Sequence, residues 1–235
     1  MKTVKDTLLR FISLIHLTGA VELKECLIEG TKQALKVCAV TPSKTFALNA
    51  KLKGDYSDLG TMGIDDLYLL EKSISLMEDI TLTKKENKLT LKDKTVKNNL
   101  LLRSPQYIMT KLEEERYIKA TKDSRGNEFT LTKDDIKKIA DYYDIYKSSV
   151  EIQGEDNEIV MKMTKEENSA ELKIKVKEKV KSFQVLVAGL FVEALKNINT
   201  DVTVSIKTGK PVLLSTKTDD YEVEYFIALL IKEEK

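Results

Sequence analysis

Lys133-Asp134-Asp135-Ile136-Lys137-Lys138-Ile139-Ala140 lies over Lys5-Asp6-Thr7-Leu8-Leu9-Arg10-Phe11-Ile12 without a gap. Each stretch repeats apolar residues at the i, i+3, i+4, i+7 spacing of one helical face. The first helix is predicted over 4–17, with Leu8, Phe11, Ile12 and Ile15 inward, and its counterpart over 133–144, with Ile136, Ile139, Ala140 and Tyr143. A second pair aligns in the same way. Leu67 to Ile74, in a helix predicted over 64–76, lies over Phe191 to Ile198, in one predicted over 189–198. A repeat of about 125 residues is too long for a solenoid unit and points to a duplicated domain.

The remaining sequence reads as short strands: Ala34–Val40, 46–52, 80–83, 88–91 and 100–103 in the first half. The second half has 150–152, 159–163, 170–176, 183–187, Val202–Ile206, 212–215 and 222–230. Leu172, Ile174 and Val176 alternate with Lys173, Lys175 and Lys177, the mark of a sheet with one wet face. Matching turns, Lys85-Glu86-Asn87-Lys88 and Thr208-Gly209-Lys210-Pro211, follow the second helix of each half. The least patterned stretch holds Pro105, the charged run Glu113-Glu114-Glu115-Arg116 and Asp123-Ser124-Arg125-Gly126. The expected organisation is therefore α+β: a domain over 1–104, an extended connector over 105–127 and a domain of like fold over 128–235.

Composition narrows the function. The 235 residues are 42% hydrophobic, enough for two domains that each bury a core. One third of them are charged but the net charge is +1, so any anionic partner must be met by local rather than global charge. Cys26 and Cys38 are the only cysteines and the opening residues do not read as a signal peptide, which predicts a reduced, intracellular protein. The apolar stretch 8–17 is interrupted by Arg10, Ser13 and His16 and is too short to span a membrane.

Catalytic patterns are missing. His16 is the one histidine and is expected at a surface or boundary position. Cys26 and Cys38 stand 12 apart with no His or Cys close by, which does not make a zinc site; Cys38 reads as a small core residue. No phosphate-binding glycine loop and no nucleophile elbow occurs. Asp65-Asp66 and Asp134-Asp135 precede or open helices, where carboxylates cap free N–H groups. No cofactor, metal or enzymatic activity is expected.

Positive charge is placed regularly. Arg10, Lys72, Lys138 and Lys196 stand opposite the apolar stripes of the four helices, at matched positions, with Lys5, Lys133 and Lys137 as secondary cations. Lysine is abundant here, so composition alone also produces such matches. The functional reading is a shared cationic surface for double-stranded DNA, gripped through phosphates without base readout.

Leu190-Phe191-Val192-Glu193-Ala194-Leu195, Val202-Thr203-Val204-Ser205-Ile206, Lys210-Pro211-Val212-Leu213-Leu214 and the tail from Tyr225 to Glu234 follow one another in an order that resembles the DNA polymerase sliding clamps, proliferating cell nuclear antigen and its archaeal and bacteriophage counterparts. Leu229-Leu230 stands where those proteins usually have Pro-Lys, and the connector here is more charged. The resemblance implies a two-domain processivity (DNA clamp) fold of duplicated β-α-β-β-β motifs, with helices lining a ring and antiparallel sheets outside. It implies a homotrimer at the replication fork that partners double-stranded DNA, a DNA polymerase and a clamp loader. It places subunit contacts at Leu100, Leu101, Leu102 and Arg103 on one edge and Leu172, Lys173 and Ile174 on the other. It places a partner-peptide pocket at Pro211, Ala228, Leu229 and Ile231, with Tyr107, Ile108 and Leu112 from the connector. The apolar run 227–231 supports such a pocket, and it reads equally as a buried last strand. Two other readings remain: a monomeric DNA-binding polymerase accessory protein of the same fold, and a checkpoint or scaffold ring.

Overall fold

Two helix starts carry members of the acidic pairs in their caps. Asp66 accepts from the Leu69 N–H at 2.7 Å and caps one helix. Thr132 and Asp135 form a reciprocal capping box on another, with Asp135 accepting from the Thr132 N–H at 3.0 Å and Thr132 Oγ1 from the Asp135 N–H at 3.2 Å. That helix stops at Lys147, whose left-handed backbone (φ 47°) lets its N–H reach the Tyr143 carbonyl at 2.7 Å.

The computed structural model describes residues 4–17 and 23–230. The first half runs α1 (Val4–His16), β1 (Cys26–Gly30), β2 (Ala34–Val40), β3 (Phe46–Lys53), β4 (Thr61–Ile64), α2 (Leu67–Ser75), β5 (Thr81–Lys85), β6 (Lys88–Lys92) and β7 (Lys97–Leu101). Then come α3 (Glu114–Lys122), β8 (Asn127–Leu131), α4 (Lys133–Tyr146), β9 (Val150–Lys165), β10 (Asn168–Val187), α5 (Leu190–Lys196), β11 (Val202–Ile206), β12 (Val212–Lys217) and β13 (Tyr221–Ile227).

One eight-stranded sheet, ordered β4-β1-β2-β3-β13-β12-β11-β8, crosses both halves. The meander β5-β6-β7 and the hairpin β9-β10 form two further sheets. The meander β11-β12-β13 is the counterpart of β5-β6-β7, and the hairpin β2-β3 is the counterpart of β9-β10 around its 165–168 turn. Helices α1 and α2 pack side by side, as do α4 and α5. Phe11, Phe46, Leu48, Phe129, Phe191 and Tyr225 fill the core between helices and sheets. The Tyr225 hydroxyl donates to the Leu14 carbonyl at 2.8 Å, tying the last strand to the first helix.

The structure departs from the sequence reading in several places. The stretches 150–152 and 159–163 belong to one strand, β9, and 170–176 and 183–187 to another, β10. Register shifts between Lys175 and Phe183 bend β10, and these irregularities break the alternation by which a strand is recognised. Gly154 lies where any side chain would strike the Phe183 ring. The connector is not merely extended: α3 occupies much of it. Only Tyr117 and Thr121 of α3 are buried, so its charged sequence shows no apolar stripe to read. His16 is not at the surface. It is 1% exposed, with Nδ1 2.6 Å from Glu71 Oε2. Cys38 is half-buried rather than a core residue, and the adjoining chain supplies the Leu112 N–H to its carbonyl at 3.2 Å.

Candidate nucleic-acid interface and open strand edges

The helices present the predicted cations unequally. Lys72, Lys133, Lys137 and Lys138 are exposed and Lys5 is half-exposed. Lys72 Nζ lies 5.4 Å from the centre of the Tyr68 ring, a cation–π contact that leaves the charge available. Arg10, predicted on the wet face, is instead half-buried. Its Nη2 donates to the Asn197 carbonyl at the end of α5, and its Nε is enclosed. The orphan carbonyls that end a helix attract a cation, so Arg10 joins the helices of the two halves. Lys196 is also drawn inward. Its side chain is 23% exposed, 2.5 Å from Asp144 Oδ1, 3.7 Å from Glu193 Oε1 and 5.1 Å from the centre of the Tyr143 ring. Hydrogen bonds from Lys147 and then Lys196 hold the Asp144 carboxyl below its ordinary pKa, so it is the charged partner at neutral pH.

Acids stand beside these bases on the same helices. Across α1, α2, α4 and α5 stand seven Lys or Arg and seven Asp or Glu. The helix surface is therefore locally patterned rather than basic. It also exposes Tyr68, Leu69, Tyr142 and Ile145.

The strand edges carry a second pattern. Inside the chain, β13 pairs with β3 from Tyr221↔Leu52 to Ile227↔Phe46 and so joins the halves. The elements in matching places, β7 and the first part of β10, have no such partner among the described residues. β7 pairs only with β6, and residues 168–175 of β10 only with β9. Leu101 is 68% exposed and Lys173 is exposed, whereas Leu100, Leu102 and Ile174 are buried and Leu172 is half-buried. Arg103 does not belong to the open edge. Its N–H donates to the Gly63 carbonyl at 2.9 Å and its guanidinium pairs with Glu25 at 3.0 Å.

The predicted peptide pocket is not assembled as one site. Leu229 bridges Val187 and packs on the core, while Ala228 donates to the Thr45 carbonyl at 2.9 Å. Pro211 stands just before β12, whose Val212 is registered with Ile227. Ile108 is buried beside Gly63 of β4, with Tyr107 exposed next to it. Four strand spacings, roughly 19 Å, separate β4 from β13. Leu112 lies at β2, in a separate cavity of about 580 Å³ lined by Leu27, Val37, Cys38, Asn49 and Lys111. The tail borders a smaller cleft of about 280 Å³ with Gln184, Val185, Leu186 and Gly209. Ile231 lies outside the described residues. The outer surface of the β3–β13 joint is covered by α3: the Tyr117 hydroxyl donates to the Glu224 carbonyl at 3.1 Å, and Glu114 pairs with Lys51 at 2.6 Å. Sequence reasoning missed this cover because α3 was hidden in the charged connector.

Paired helices, a sheet that crosses two like halves and a closing meander in each half define the sliding-clamp fold. Two solved structures are similar to the chain over nearly its whole length. The crystal structure of proliferating cell nuclear antigen from Entamoeba histolytica has a TM-score of 0.77 and 15% identity, covering 97% of this chain and 96% of that one. The A. fulgidus PCNA structure with the C-terminal region of FEN-1 bound has a TM-score of 0.75 and 18% identity, covering 97% of each chain. No family model and no curated protein sequence matches the chain.

Proposed function

We propose that this protein is a sliding clamp, a non-catalytic ring that encircles duplex DNA and tethers a polymerase to it as a processivity factor. The observation that carries this reading is the repeated edge. The joint β3–β13 holds the halves together, and its two elements recur as β10 and β7 with their outer edges unpaired among the described residues. Head-to-tail pairing of β7 with β10 of the next copy repeats the internal joint, and such a contact closes into a ring when the rotation permits. It also covers two strand edges that otherwise invite aggregation. By likeness to the known clamps, the ring is a homotrimer with the helices inward, served by a clamp loader. Lys72, Lys133, Lys137 and Lys138 then supply the phosphate contacts.

The test is retention on DNA. A closed ring loaded on a nicked circle stays bound through a high-salt wash and is lost when the circle is cut. Equal loss from circular and linear DNA overturns the reading. The runner-up, a monomeric accessory protein of the same fold, draws on the lysine-rich character of both open edges, and a solution mass of one chain under all conditions would favour it.

A further inference from the structure

The internal joint and the open edges differ in charge. In the joint, Lys51 of β3 stands opposite Glu222 of β13 in the register; the Lys51 amino group itself pairs with Glu114 at 2.6 Å and Glu222 with Lys217 at 2.6 Å. Glu224 of the same strand stands opposite Asn49. The corresponding positions on the open edges follow from the two hairpins and the burial pattern. The closing hairpins begin at Lys217↔Glu222 and Lys92↔Lys97, so Lys97 takes the place of Glu222 and Asn99 that of Glu224. The inward residues Leu48, Ala50 and Leu52 of β3 match the face of Leu172, Ile174 and Val176 of β10, which sets Lys175 in the place of Lys51; a step of two along that face sets Lys173 or Lys177 there, so a lysine stands at this place in each register. A joint with the same register therefore sets Lys97 of one copy against Lys175 of the next. Where the internal joint sets a lysine opposite a glutamate in the ladder, the external one sets a lysine opposite a lysine.

The surroundings strengthen the mismatch. Residues 81–101 carry six lysines against Glu86 and Asp93. Residues 168–181 carry Lys173, Lys175, Lys177, Lys179 and Lys181 against Glu171 and Glu178. Both edges are thus net positive in a chain whose total charge is +1. Acids across the hairpin offset part of this: Glu158 is registered with Lys175, and Asp156 pairs with Lys179 at 3.4 Å. Glu171 falls opposite Leu101 in the copied register. Glu178 turns inward, accepting from Thr130 at 2.9 Å.

We propose that the joint between two copies of this chain is held open by like charge in dilute salt and closes when salt screens Lys97 from Lys175, so that the clamp is salt-assembled. The proposal rests on the clamp reading and adds the condition under which the ring forms. Screening shortens from roughly 10 Å at 0.1 M salt to about 3 Å at 1 M, and like charges directly opposite in a sheet oppose pairing.

The experiment is sedimentation equilibrium of the full chain in sodium chloride at these two concentrations. The expected result is a dissociation constant at least about threefold lower in the higher salt. Lys97→Glu restores the Glu–Lys pair, assembles at least about fivefold more tightly than the parent in 0.1 M salt, and loses tightness as salt rises. The double variant Lys97→Glu with Lys175→Glu sets like charges against each other again and returns to the parent's weak assembly in 0.1 M salt. An assembly that is indifferent to salt and to Lys97→Glu overturns the inference and leaves the clamp reading standing. A chain that stays monomeric in both salts and in Lys97→Glu overturns both. Leu101→Pro, which removes a ladder N–H from β7, abolishes assembly in 1 M salt; assembly that survives it places the joint elsewhere and also overturns the inference.

Discussion

Lys51 in β3 and Glu222 in β13 stand directly opposite one another in the ladder that joins the two halves of this chain. The residues come from parts of the sequence that share no local pattern, yet their charges match. Glu222 is shared with Lys217 at 2.6 Å and Lys53 at 4.0 Å, and hydrogen bonding from Lys217 depresses its pKa. Glu222→Lys is expected to lower stability by about 1 kcal/mol, at the upper end for a cross-strand pair because several lysines lose their shared acid. Urea unfolding measures it; a change of less than a few tenths means that the ladder holds without this charge match.

Arg10 of α1 and Lys72 of α2 lie on helices that pack side by side and are expected to behave oppositely. Arg10→Ala removes the donor to the Asn197 carbonyl and is expected to lower stability by about 1–3 kcal/mol, seen in urea unfolding. Lys72→Ala leaves stability within about 0.5 kcal/mol. An Arg10→Ala protein as stable as the parent shows that the bridge between α1 and α5 contributes nothing.

DNA association is expected to depend on the exposed helix cations. Replacing Lys72, Lys133, Lys137 and Lys138 together by alanine removes up to four phosphate contacts and lowers the salt slope of binding by as much as roughly 3–4. The slope is read from affinity for a random-sequence duplex at several salt concentrations. An unchanged slope moves the DNA surface to another face.

Alkaline pH is expected to weaken the fold. Burial pushes the Cys38 thiol up to about 12 from an ordinary value of 9.0, and Cys26, Tyr117 and Tyr225 are raised by burial as well. A group whose pKa is raised on folding keeps more protons in the native state. Its stabilisation is complete below the unfolded value and is lost as pH rises from that value towards the folded one. Thermal unfolding midpoints are expected to hold up to pH 8 and to fall between pH 9 and 11. In the Cys26→Ala, Cys38→Ala double variant the fall starts nearer pH 10, where the tyrosines begin. A flat profile to pH 11 contradicts the burial of these groups.

Much of the architecture was legible from residue spacing. Leu8, Phe11 and Ile12, matched by Ile136, Ile139 and Ala140, mark helices because an apolar stripe of helical period has to face a core. Asp66 and Asp135 mark helix starts for an equally local reason. Strands β1, β4 and β8 were not among the strands read from spacing. The candidate interface was less legible, since Arg10 and Lys196 carry the same charges as Lys72 and Lys138 and the same place in the helical repeat.

Period and capping are properties of neighbouring residues, so helices α1, α2, α4 and α5 and most of the strands follow from the amino acids in line. Which cations face solvent is a property of residues far apart: Arg10 is tied to Asn197, and Lys196 to Asp144. The reach of Arg10 to the end of α5, and the packing of α5 against α4, draw those two charges onto partners within the chain and leave Lys72 and Lys138 exposed. The same holds for the edges. That β3 finds β13 within the chain, while β7 and β10 are left open, is decided by how the halves are joined, because backbone hydrogen bonds pair any two strands and only the three-dimensional arrangement selects which.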